Sequence, residues 1–575
     1  MRRWAQQLRM ADRAGRPLIC HARTNLLAYS RAADALLLDR RPLGSSLELS
    51  QYSAWIRQQP RLARPGTPVW TTVQTQLPAE AVEQYRLIEP QGTASTGVQP
   101  EQLRLLVYQA VAAGSRGLLV LSAGPLSADD PDTRFRAAAL ELLNLEMQLV
   151  EPWAAAGTLV AFVESGDPQV SGALLRAERA RLLMPMWSAP GAQFVPGQSA
   201  ANNLQFTVPG LPESTLAYQL VPGHAQGLKF KRVTGGTRIT LDEFGLTDLV
   251  LLAHDPMIVG AIMQRTAAIG RRAAQLHLEI AATKYQRVAQ LVPALAGRGL
   301  LPAEANSWLL NAQNSLRRGE QYRGARNYAE AYIEAARALR ALRLVERAAW
   351  ERATAELPTP TTSPVAVAWQ MLPAHSRLTD WISSSRSGPN LLPAGEFDRL
   401  DALIGAGWCN WQRAPAGVAT KVELSAAAGR GGGLGLLLSA RAESPETAPA
   451  VLESPPIVVS SPPINVQAGQ LLCIHGWVKI PAELTAGVDG LTVFDSLGGE
   501  PLAAHLHHTA GWQRVLLYRV AARSGAMQVH FVLSGLGEVH LDDFAVTALP
   551  PSPAAAPGVG FGPSADRRAA LLPLR

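Results

Sequence analysis

Four short apolar runs constrain what the first 157 residues can become: Leu18–Cys20, Ala35–Leu38, Val69–Val73 and Gly117–Leu121, each bounded by Gly, Pro or charge. Stretches with helical spacing separate them. The clearest are Glu101–Ala113, with Leu103, Leu106, Val107 and Ala110 on one face, and Thr133–Trp153, with Leu140, Leu143, Met147 and Val150. Strands that alternate with helices pair in parallel, because each return to the same end of a sheet needs a crossover. Four such strands make half of an eight-stranded barrel or a small open sheet. The chain opens on Trp4, Leu8 and Ala11 at helical spacing, with no apolar core of a signal peptide, so the reading expects it to begin inside a domain.

The texture then changes. Residues 158–255 hold six strand-like runs cut by Pro209-Gly210, Pro222-Gly223 and Gly235-Gly236, the pattern of a β-sandwich. Residues 256–356 are rich in Ala, Leu, Arg and Glu and predict a helical hairpin or bundle with helices near 257–296, 303–318 and 324–355. Residues 357–384 read as a linker, because Leu-Pro-Thr-Pro-Thr-Thr-Ser-Pro at 357–364 offers no apolar face. Strand signals return over 385–549, and the Pro/Ala/Gly-rich segment 550–575 reads as a disordered tail. The expected fold class is therefore multidomain α/β plus all-β.

Composition excludes several functions. Lys and Arg number 53 against 46 Asp and Glu, a balance of +7, but the arginines are scattered in pairs such as Arg271-Arg272, which is no nucleic-acid footprint. Three separated cysteines (Cys20, Cys409, Cys473) supply neither a disulfide framework nor a zinc site. No run reaches the ~20 apolar residues of a membrane helix. His505, His507 and His508 lack neighbouring carboxylates and read as a solvated loop or strand face rather than a metal site.

Two segments resemble known families. Asn390-Leu391-Leu392, Gly395-Glu396-Phe397, Gly476-Trp477-Val478, Gly511-Trp512-Gln513 and Leu541-Asp542-Asp543-Phe544-Ala545-Val546 resemble the galactose-binding-like jelly rolls used as carbohydrate-binding modules. That resemblance implies a polysaccharide or glycan partner, an exposed aromatic platform, for which Trp408 and Trp411 are the candidates, and a possible structural calcium. Glu396 with Asp542 or Asp543 would hold the ion, backbone carbonyls completing its roughly six to eight oxygen ligands. Trp477 and Trp512 lie in alternating strand patterns and are read as core.

The N-terminal segment is similar to the second half of a glycoside-hydrolase (β/α)8 barrel. Gly15-Arg16-Pro17-Leu18-Ile19 would enter the fifth strand, and 33–39, 68–74 and 116–122 would be the sixth to eighth, with a β-sandwich following. Retaining hydrolysis needs two carboxyl groups about 5–5.5 Å apart. In the resembling barrels these end the fourth and seventh strands. Here the fourth strand would precede Met1, and the seventh ends in Gln74, Thr75 and Gln76, whose amides carry no charge to attack an anomeric carbon. No catalytic residue is assigned. The strand ends offer a candidate sugar-binding set, His21, Asp39, Trp70, Gln74 and Gln76, with Asp39 also able to pair with Arg40, Arg41 or Arg61.

The sequence thus predicts a glycoside-hydrolase-like, non-catalytic or N-terminally truncated polysaccharide binder. Two alternatives stay open: a fragment of an active retaining glycosidase, and a structural or adhesive surface protein. The resemblance implies an extracytoplasmic setting for the full-length protein; sugar, linkage and oligomeric state are not legible.

Overall fold

The computed structural model describes residues 2–198 and 202–550. The tail expected at 550–575 lies outside these residues apart from Pro550. The four apolar runs form β1 (Ile19–His21), β2 (Ala35–Leu38), β3 (Val69–Gln74) and β4 (Gly117–Leu121). They pair in parallel in sequential order, Leu37 opposite Trp70 and Trp70 opposite Gly117. Alternation decides which face each side chain takes. Leu36, Leu38, Val69 and Val73 are buried against the helices, including Leu49–Gln58 and Pro100–Ala112. Ile19, His21, Leu37, Asp39, Trp70, Thr72 and Gln74 share the opposite face. Gly117 is required there: a Cβ would meet the Trp70 indole at 2.3 Å.

Residues 158–253 form nine strands rather than six, all antiparallel, in two sheets. Val170–Ala177, His224–Gly227 and Gly236–Glu243 are the strands the sequence reading passed over. The six-stranded sheet runs His224–Gly227, Leu216–Val221, Val250–Ala253, Ala180–Trp187, Val170–Ala177, Thr158–Glu164. The smaller sheet packs on it where Phe206 lies over Gly172. Three helices follow, Pro256–Ala296, Ala305–Gly324 and Tyr328–Thr354. Asp255 caps the first by accepting from the Met257 N–H at 2.9 Å.

The linker expectation for 357–384 is overturned. Thr361, Thr362, Val365, Val367, Trp369, Met371 and Leu372 are all buried, and Leu372–Ser384 is a helix. The proline-threonine stretch packs because its polar groups find partners: Thr361 Oγ1 donates to Ala503 O at 3.0 Å, and Thr361 O accepts from Arg519 at 3.1 Å.

The C-terminal region contains two five-stranded antiparallel sheets. One runs Cys409–Gln412, Ile457–Ser460, Val529–Leu533, Leu491–Asp495, Ala504–Leu506. The other runs Val418–Ser425, Gly435–Ala442, Gly537–Leu549, Leu471–Lys479, Gln513–Val520. Their facing side chains, among them Leu438, Val459, Ile474, Leu491, Phe531 and Phe544, make one core. The entering segment 388–397 lies beside the last strand, with the Leu391 N–H donating to Val546 O at 2.7 Å. The second sheet's far end joins the main core through Leu471, Cys473, Val520 and Leu549.

Candidate functional site

The parallel sheet brings His21, Asp39, Trp70 and Gln74 onto one face, but their functional groups are differently committed. Gln74 is buried, and its amide clamps the loop after β2: Nε2 donates to Leu43 O and Gln76 O, both at 2.9 Å, while Oε1 accepts from the Leu43 N–H at 3.0 Å. Both amide hydrogens are spent, and burial closes the oxygen off from solvent. Gln76 Oε1 accepts from the Ala123 N–H at 2.8 Å. Asp39 pairs with Arg41 at 3.1 Å and accepts from Thr72 Oγ1 at 2.8 Å. Burial works against its charge, and the Arg41 and Thr72 hydrogen bonds outweigh burial and hold the carboxyl below its ordinary range. Trp70 lies flat across Gly117, and His21 is exposed. Asp39 is the one carboxylate among these strand-end residues, so they supply no acid–nucleophile pair.

The C-terminal sandwich is docked over the same strand ends. The Leu26 N–H donates to Glu453 Oε1 at 2.6 Å, Ser46 Oγ lies 2.7 Å from His505 Nδ1, and Arg40 pairs with Asp489. Deeper in the junction, the Gln84 amide makes two bonds to the Val520 backbone, both at 2.8 Å. The solvated reading of the histidine trio therefore fails at His505. Its side chain is 4 % exposed, and burial, aided by Arg40 and His507, pushes its pKa down to about 3.

The two tryptophans expected as platforms separate. Trp408 is spent structurally: Nε1 donates to Pro393 O at 3.0 Å, and the ring packs against Phe397 and Phe531. Trp411 lies on the edge strand Cys409–Gln412 and is 36 % exposed. Register places it in a row with Val458, Val532 and Thr492, continuing to His505. The adjacent row on the same face is Cys409, Ser460, His530 and Phe494. Phe494 and His530 rings stand 4.9 Å apart, and Ser460 Oγ is 2.9 Å from His530 Nδ1. The result is a strip of half-exposed aromatic and aliphatic groups with a hydroxyl and an imidazole. It leads from Trp411 towards the docked edge over the parallel sheet. Ser460, Phe494 and His530 were not singled out from sequence, although the signal is present: Ile457/Val459, Leu491/Val493 and Val529/Phe531 set the core phase, which leaves them out of phase.

Trp477 and Trp512 also differ from the core reading. Leu472, Ile474 and Val478 point inward, so Trp477 points outward, where the Arg430 guanidinium covers it at 3.8 Å. Trp512 is half-buried, 6.5 Å from the His540 ring.

Of the expected calcium ligands, Glu396 is exposed and the two aspartates are engaged within the chain. Asp542 uses both oxygens on backbone N–H groups, Arg430 at 2.7 Å and Asp543 at 2.8 Å. Asp543 pairs with the Arg430 guanidinium at 3.0 Å, which already supplies the positive charge. Among the described residues no three His, Cys, Asp or Glu side chains gather as metal ligands.

No family model matches the chain, and no curated protein matches it. Solved structures with partial likeness include the α-fucosidase of Thermotoga maritima in complex with fucose, at 14 % identity and TM-score 0.24, over 38 % of this chain and 42 % of that one. The CBM22-1 xylan-binding domain from Paenibacillus barcinonensis Xyn10C is 17 % identical at TM-score 0.18, over 29 % of this chain and 100 % of the domain. A CBM4 domain is 17 % identical at TM-score 0.20, over 27 % and 97 %. The chain spans about two fifths of the fucosidase it matches. Its structural neighbours thus include glycoside hydrolases and carbohydrate-binding domains.

Proposed function

We propose that this chain is a glycoside-hydrolase-like protein that binds polysaccharide through its C-terminal sandwich and performs no retaining hydrolysis with its strand-end residues. The parallel layer is read as the second half of a (β/α)8-type barrel, and the sandwich as a jelly-roll module working outside the cytoplasm. One observation carries the binding reading. Trp411 stands exposed at the head of a half-exposed strip, Val458, Val532 and Phe494, beside the polar Ser460 and His530. A pyranose presents an apolar C–H face and a rim of hydroxyls, and an aromatic edge flanked by hydrogen-bonding groups complements both. The reading without hydrolysis rests on Gln74, an uncharged, buried amide held by Leu43 and Gln76 where the resemblance puts a nucleophile. Electrophoresis of the full chain through gels containing soluble xylan, β-glucan or galactan tests the first, and release of reducing ends tests the second. Retardation by at least one polysaccharide without new reducing ends is the expected result. No retardation by any glycan would refute the binding reading, and reproducible hydrolysis would refute the Gln74 argument.

A further inference from the structure

A cavity of about 500 Å³ opens where the Pro100–Ala112 and Pro131–Leu149 helices, the six-stranded sheet and the three-helix region meet. Its deep wall is a polar network. Arg104 bonds Glu146 at 2.8 Å and Thr247 Oγ1 at 2.5 Å, and Tyr332 and Tyr108 hydroxyls donate to Glu146 at 2.5 and 3.3 Å. Asp248 accepts from the Gln219 amide at 2.6 Å. The network is well satisfied, yet three lining side chains keep buried polar atoms without a protein partner: His277 Nδ1, Arg343 Nε and Glu101 Oε2. Leaving a buried polar atom unpaired is destabilising, and native sites that tolerate it call for a reason.

We infer that this cavity is a binding site for a neutral, hydroxyl-rich small molecule of monosaccharide or cyclitol type. The volume lies within the ~300–1,000 Å³ of small-molecule sites. Charge decides the ligand class. The deep cations are already paired, Arg104 with Glu146 and Arg343 with Glu101 at 3.9 Å. The rim sets Lys229 and Arg337 against Asp242 and Glu243. An ion entering this wall would break a balanced set and lie uncompensated in a poorly solvated place. A neutral ligand keeps the pairs, with the side chains of Tyr332, His277 and Asp248 among the polar residues of the lining. Leu142, Phe244 and Ile280 are among the apolar residues of the lining, which suit the C–H faces of a cyclic polyol. The environment agrees: burial pushes His277 down to about 3, so it stays a neutral imidazole, and raises Asp248 to about 7.

This site is separate from the sandwich strip and does not rest on the reading given for it. The test is isothermal titration of the full chain with D-glucose, D-galactose, D-xylose, L-fucose and myo-inositol, each set against D-glucuronate and D-glucosamine. Two variants fill the cavity from its half-buried helical wall, Ala336→Phe and Ile333→Trp. The expected result is saturable binding of at least one neutral probe over both charged ones. Either plug should weaken it by at least about tenfold, and Leu310→Ala, on an exposed helix face outside the cavity lining, should leave it unchanged. No saturable binding of any neutral probe, preference for a charged one, or binding that survives both plugs would overturn the inference.

Discussion

Replacing Lys284 by Met would remove the one ammonium between two buried carboxyls. Lys284 Nζ lies 2.6 Å from Glu101 and 2.8 Å from Glu346, with all three side chains 4 % exposed or less. They belong to different parts of the chain, so the triad ties the Pro100–Ala112 helix to the Pro256–Ala296 and Tyr328–Thr354 helices. Breaking a buried pair by removing one partner costs about 3–5 kcal/mol, because the remaining charge is stranded. Arg343, 3.9 Å from Glu101, still compensates one carboxylate, which favours the lower figure, about 3 kcal/mol. At ~2–4 °C per kcal/mol for a cooperative unit of 150–250 residues, the transition carrying this unit should fall by about 6–12 °C in calorimetry at pH 7. Two controls separate the charge argument from simple loss of packing. Glu346→Gln in the Lys284→Met background should recover most of the loss, since it removes the stranded charge. The deficit should also shrink as pH falls from 7 to 5. Burial already raises Glu346 to about 7, so the folded state binds more protons than the unfolded between the ordinary carboxyl range and that value, and stability contributed there falls as pH rises. A loss below about 1 kcal/mol, or no recovery with Glu346→Gln, would refute the reasoning.

Further outcomes follow from other contacts. His505 is held neutral at the sandwich junction with its folded pKa near 3, against an ordinary 6.5, so the unfolded state binds more protons between those values. Its contribution is complete above pH 6.5 and is lost on acidification, about 2 kcal/mol by pH 5. Calorimetry of His505→Gln should show a shallower acid slope, and an unchanged slope would contradict the assignment. Gln74→Ala removes three hydrogen bonds from a buried clamp and should cost about 1–3 kcal/mol in urea unfolding without altering glycan retention in gels. Chelation with EDTA should leave the unfolding temperature unchanged, because Arg430 already pairs with Asp543; a drop reversed by calcium would show that the ion displaces that contact.

What could be read from the sequence was local. The parallel runs Ala35–Leu38 and Gly117–Leu121 are bounded as expected because each is a continuous apolar segment closed by polar or turn residues. The three long helices end within a few residues of their periodic limits, except that Ala305–Gly324 continues six residues further than expected. Segment 357–384 was misread because its burial depends on distant partners: Arg519 and Ala503 satisfy Thr361, and no local pattern announces them. The site divides along the same line. Trp411 was identifiable as a ring followed by polar residues, whereas its neighbours Val458, Val532 and Phe494 come from strands up to 121 positions away in sequence and meet only through sheet order. Gln74 was visible as an amide, but that Leu43 and Gln76 hold it in place required the three-dimensional loop path.

The central claim is glycan recognition by the Trp411 face, and the most direct measurement is a binding titration of Trp411→Ala against the parent chain, using the polysaccharide that retards the parent in gels. Trp411 sits on an exposed edge strand, so its truncation should change stability by no more than about 0.5 kcal/mol. Affinity should fall at least about tenfold, the ~1.4 kcal/mol expected when an aromatic contact surface is lost. An unchanged affinity in a stably folded Trp411→Ala protein would contradict the account.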